Sequence, residues 1–130
     1  MIHALMTTIP HKVQRYDTAG DWQFGKKQNL VVSVSVLGDD DCEFLVGLHE
    51  LVEAWLCKKH GITQAQVDAF DMAWQPHDGI EEPGEDPDAP YFDEHQIASA
   101  VERIVQKSLG VKNADYAARL DALVWRNSPS

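Results

Sequence analysis

The sequence predicts an α+β fold: a small antiparallel sheet of two or three N-terminal strands packed on about four helices. Three observations predict it. Residues 30–36, "LVVSVSV", alternate valine with serine in the period-two pattern of a half-buried strand. Residues 42–60 carry apolar side chains at helical spacing and stop at a glycine. The remainder is cut by glycine, proline and polar breaks into helix-length pieces.

The elements follow in order. "DWQF" is expected as a short strand, with "GKKQN" as the turn that joins it to residues 30–36 in a hairpin. Val32, Val34 and Val36 share one face of the second strand, and Ser33 and Ser35 the other. The aspartates of "LGDDD" suit a helix entry, because carboxylates accept from the free N–H groups there. The long central helix then runs from about Cys42 to His60, with Gly61 as its cap. Phe44, Leu45, Leu48, Leu51, Val52, Trp55 and Leu56 form its apolar stripe. Thr63 and Gln66 read as a capping box for a shorter helix ending near Trp74, with Val67 and Phe70 inward. Residues 75–90, rich in proline and acid, are expected as a long ordered loop rather than a linker. A third helix opens at "DEHQ" with Asp93 and Gln96 as a second capping box. It buries Ile97, Val101, Ile104 and Val105 and ends at Gly110. A fourth, from about Asp115 to Trp125, presents Tyr116, Leu120, Leu123 and Val124. The four tryptophans are expected in or beside the core.

Composition narrows the function. A chain of 130 residues fits one domain, residues 1–130, with one modest core. No run approaches the roughly 20 apolar residues of a membrane span, and no secretory signal is visible, so a cytoplasmic location is expected. Cys42 and Cys57 would lie ~22 Å apart along one helix, too far for a disulfide. The formal charge of −10 opposes a nucleic-acid backbone, and only two short basic clusters are visible, Lys26-Lys27 and Lys58-Lys59. Neither nucleic acid nor membrane is therefore expected as a partner.

One motif carries chemistry. "HELVE" places His49 and Glu53 one turn apart on the central helix, at the border of its apolar stripe. A helix offers a divalent metal two ligands in this way. The adjacent Glu50 could then act as general base on a metal-bound water. A metal ligated by His49 and Glu53 needs a third donor, and His95 is expected to supply it, with Glu94 as the alternative. Zinc is the expected cofactor because it accepts imidazole and carboxylate together. Regular helix geometry from Asp93 onward would turn His95 away from its own helix's apolar stripe. His60 lies about three turns from His49, ~16 Å, too far to share its metal.

"VVSVSV…FLVGLHELVEAWL" resembles zincin-type metallohydrolases, in which a sheet strand precedes a helix bearing H-E in an apolar setting. The resemblance implies His49 as ligand and Glu50 as base. It departs from the family at Glu53, which stands where a second histidine is usual. "HELVEA…GI…VDAFD…PGEDPDAPYFDEHQIA" also resembles uncharacterised proteins of bacteriophage and prophage origin, a resemblance covering most of the chain after about residue 15.

Two other functions are compatible with these residues. Glu50 and Glu53, followed by Asp68 and Asp71, resemble the paired acidic helices of all-α nucleotide pyrophosphohydrolases, which would imply magnesium and a phosphate substrate. The valine-rich strand has no place in that fold. Alternatively, the chain is a non-enzymatic acidic phage protein whose surface occupies a basic site on a host protein.

Overall fold

The computed structural model describes residues 1–123. Val124 and Trp125, expected at the end of the last helix, lie outside the described residues. Three strands form the sheet: β1 (Ala4–Ile9), β2 (Gly20–Phe24) and β3 (Leu30–Ser35), in the order β1-β3-β2. The expected hairpin is present, with Trp22 opposite Val32 in an antiparallel ladder. β1 joins on the far side of β3 and runs parallel to it, Met6 opposite Val32. The sheet is therefore small as expected but mixed.

Alternation decides which face of the sheet is covered. Trp22, Leu30, Val32 and Val34 are buried on one face, where α1 (Asp40–Lys59) crosses β2 and β3. Val36 lies past the strand end and is exposed. Gln14 and His11 reach the opposite face, where Gln14 Nε2 donates to the Ser33 carbonyl at 3.1 Å and His11 Nδ1 lies 2.8 Å from Ser35 Oγ.

Helix ends obey the local chemistry. The Asp39 side chain accepts from the Cys42 N–H at 2.9 Å and starts α1. Gly61, at φ +74°, closes it, and the Ile62 N–H bonds back to the Cys57 carbonyl at 2.9 Å. The Thr63–Gln66 capping box is complete and opens α2 (Gln64–Ala73). α3 (Phe92–Leu109) ends at a left-handed Gly110, as its sequence implies. Its N-cap is Tyr91, with no side-chain cap bond; Gln96 instead donates to Glu85 at 3.2 Å. The proposed Asp93–Gln96 capping box is thus absent. α4 (Asn113–Asp121) buries Tyr116.

Residues 75–90 are ordered by one carboxylate. Asp86 accepts from Trp74 Nε1 at 3.0 Å and from the Asp88 N–H at 2.9 Å, and contacts His77 Nε2 at 2.8 Å. A short 3-10 turn, Pro83–Glu85, ends at this aspartate and packs on α3.

The orientation of α3 departs from its hydrophobic pattern. Ile97 is 48% exposed and Ile104 71% exposed, while Val101 and Val105 are half-buried. The buried face is Glu94, His95, Ala98, Ser99 and Gln106. α3 turns a polar face inward because α1 offers polar partners there. On α1, likewise, His49 and Glu53 lie within the buried face, not at its border, while Phe44 is exposed. Buried polar groups must be paired, and these two faces pair each other.

Candidate metal centre

Three expected ligands meet at the α1–α3 contact. His49 Nε2 lies 3.1 Å from Glu53 Oε2 and 3.1 Å from His95 Nδ1. His95 Nδ1 lies 2.9 Å from Glu53 Oε2. All three residues are buried. His49 and Glu53 arrive one turn apart on α1, and His95 comes from the first turn of α3. His95 faces inward, as a third ligand requires, although it lies off the apolar stripe of its own helix.

Each ligand atom is set by a second contact on the far side of its residue. His49 Nδ1 lies 2.9 Å from Glu102 Oε1. A carboxylate only accepts, so Nδ1 carries the proton and Nε2 faces the triad. Tyr116 O–H donates to the other Glu102 oxygen at 2.7 Å. His95 Nε2 lies 3.2 Å from Glu85 Oε1, which fixes the opposite tautomer and turns Nδ1 inward. Trp22 Nε1–H donates to Glu53 Oε1 at 3.1 Å, leaving Oε2 for the triad. Gly84 lies against the His95 ring, where a Cβ would fall 2.6 Å from His95 Cγ. Only a glycine allows the loop this close.

The electrostatics follow from burial and pairing. Burial opposes a charged His49, but hydrogen bonds to Glu102 and Glu53 outweigh it and lift its pKa to about 11. Burial opposes a charged Glu53, yet His49 and His95 together hold its pKa down to about 2. His95 is raised as well: burial pulls it down, and the bond to Glu53 more than offsets this. The cluster therefore has a strong demand for positive charge.

The remaining candidates fall elsewhere. Glu50 lies against β2, with its Cγ 2.7 Å from where a Gly20 Cβ would stand, and its ligand atoms are not grouped with the triad. Burial, then the Glu53 charge, push its pKa well up. Glu94, the alternative ligand, pairs with His60 at 2.6 Å instead. Asp68 is taken up by Arg15, which also binds Asp21. Asp71 accepts from Tyr16 O–H at 3.0 Å and from Tyr91 O–H. Cys42 and Cys57 are free and buried.

Glu102, Glu85 and Gly84 carry no motif in the sequence, and Trp22 is expected there only as a core residue. Glu102 had a signal: it follows His95 by seven residues, two helical turns along the same face. Glu85 and Trp22 come from a loop and a strand, where spacing says nothing about proximity to His49.

No protein-family model, no curated protein and no solved structure matches the chain. Among the described residues no helix is long and apolar enough to cross a membrane.

Proposed function

We propose that this protein binds a divalent transition metal, zinc foremost, through His49, Glu53 and His95. The observation that carries the reading is the pairing behind the ligands. Both imidazoles hold their outer nitrogen on a carboxylate, and both direct the inner nitrogen at the same Glu53 oxygen. Two facing imidazole nitrogens 3.1 Å apart have room for one N–H between them, not two. A cation satisfies all three donors together. Tetrahedral zinc with bonds of about 2.0–2.1 Å separates its ligands by about 3.3 Å, close to the separations here.

The donor set also supports the choice of metal. Two nitrogens and one carboxylate oxygen suit zinc better than magnesium, which prefers an all-oxygen shell. Zinc with three protein ligands has a fourth position for water, whose pKa it lowers towards about 7. A zinc-dependent hydrolase is the extension of this reading, with Glu50 as its base. Glu50 follows His49 directly on α1, and burial together with the Glu53 charge favours its protonated form.

Plasma mass spectrometry on the untagged protein, incubated with zinc and desalted, tests the proposal. One zinc per chain, lost in both His49→Ala and His95→Ala, is the expected result. A zinc-free wild type, or zinc retained in both variants, overturns it.

A further inference from the structure

The fold assembles a basic surface that the sequence keeps in two pieces. Lys26 and Lys27 occupy the turn between β2 and β3, and Lys58 and Lys59 the last turn of α1. The side chains of Lys58 and Gln28 are hydrogen-bonded, which joins the turn that carries Lys26 and Lys27 to the end of α1. These lysines are four of the chain's 11 cationic residues, in a protein of net charge −10. None of the four forms an ion pair with a described carboxylate. Lys58 and Lys59 complement the α1 dipole. Lys26 and Lys27 belong to another element and have no such reason to be there.

Lys58 lines a groove of about 370 Å³ together with Trp22, Phe24, Ile62 and Gln64, and Gly25 and Gln28, on either side of Lys26 and Lys27 in the chain, line it too. Its lining is aromatic and aliphatic, with the amides of Gln28 and Gln64, whose oxygens accept from Lys58 and from the Phe24 N–H. The Lys58 ammonium sits 5.0 Å from the Phe24 ring centroid and 5.2 Å from that of Trp55. Lys59 lies 5.8 Å from Trp55. Cations, aromatic rings and amides in one concavity match three parts of a single ligand type: phosphate, base face and base edge.

We propose that this groove binds a nucleotide unit, with the base on Phe24 and the phosphate on the lysine quartet. The ligand is a free nucleotide or one residue of a single strand. The net charge opposes long-range attraction of either, so binding depends on this local patch. The residues are separate from the triad, although Trp22 both lines the groove and donates to Glu53.

The test titrates the purified protein with thymidine monophosphate, followed by tryptophan fluorescence, and with a labelled short oligothymidylate, followed by polarisation. Inorganic pyrophosphate and an acidic peptide serve as competitors. Binding of the monophosphate alone assigns the free nucleotide, and binding of the strand alone or more tightly assigns the polymer; either supports the proposal. Up to four phosphate contacts predict that strand affinity falls at most ~50-fold between about 50 and about 200 mM salt. The joint substitution Lys26→Gln, Lys27→Gln, Lys58→Gln, Lys59→Gln should weaken binding at least about tenfold, and Phe24→Leu about fivefold or more. Should the quadruple variant misfold, Lys26→Gln with Lys27→Gln in the exposed turn gives the same reading. Failure of both probes to bind, binding unchanged by the lysine variants, or equal competition by pyrophosphate or peptide overturns the proposal.

Discussion

Glu102 Oε1 lies 2.9 Å from His49 Nδ1, and this contact determines which nitrogen of His49 faces Glu53. The carboxylate is itself held by Tyr116. Removing such an outer partner typically costs 10–100-fold in metal affinity. Glu102→Ala is therefore expected to weaken zinc binding by about that factor, measured by competition with a chromophoric chelator. Tyr116→Phe should move affinity in the same direction by less, with the circular dichroism spectrum unchanged.

Glu53 neutralises two buried imidazoles from one position. In metal-free protein, Glu53→Gln removes the one carboxylate that both imidazoles share, leaving His49 with Glu102 and His95 with Glu85, at a cost of up to about 3–5 kcal/mol at neutral pH. The sign follows from its pKa, which is about 2 in the folded state against an ordinary value of 4.5. The contribution is present above the ordinary value and is lost as pH falls towards about 2. Urea unfolding at neutral pH and at about pH 2 should show the wild-type and variant stabilities converging.

Gly84 makes the loop a close-fitting cover on His95. Gly84→Ala forces the loop or the ring to move, and overpacking of this kind costs about 1–3 kcal/mol. The variant is expected to lose stability by that amount and to bind zinc more weakly. Wild-type zinc affinity in the variant would rule out close packing of loop on ligand.

Asp71 titrates in the opposite sense to Glu53. Burial raises its pKa from 3.8 to about 6 despite bonds from Tyr91 and Tyr16. The folded state then holds a proton that the unfolded state releases, so this residue's contribution declines as pH rises from about 4 to about 6. Asp71→Asn should flatten the stability profile in that window, and an unaltered slope would contradict the assignment.

The outward face of α3 gives a control. Ile104 is 71% exposed, so Ile104→Ser should change stability by less than about 0.5 kcal/mol. Ser99 is buried on the inward face, so Ser99→Ile should destabilise by about 1–3 kcal/mol.

This contrast shows where the sequence was legible. Strand β3, the Thr63 capping box and the glycine ends of α1 and α3 depend on local chemistry, and each could be read residue by residue. His49 and Glu53 could be paired because helical spacing alone places them together. The meeting with His95 needed one long-range assumption. The inward face of α3 was misread because hydrophobic periodicity assumes that apolar residues go inside; here reciprocal polar pairing across α1 and α3 decides the orientation. β1 was missed as a defined strand because "ALMTTI" does not alternate, and it lies at the sheet edge with most of its residues exposed. The two lysine pairs were legible, but the contact between their elements was not, because a hairpin turn and a helix end thirty-odd residues apart have no shared sequence signal.

The parallel seating of β1 has a consequence for synthesis. Ala4 pairs with Leu30, so the first strand is made well before its only neighbour in the sheet. The β2–β3 hairpin can close through a short turn, whereas β1 must wait and pay the larger loop-closure cost. During that interval an uncharged, largely apolar hexapeptide stands without a partner on the nascent chain, the kind of segment that chaperones shield.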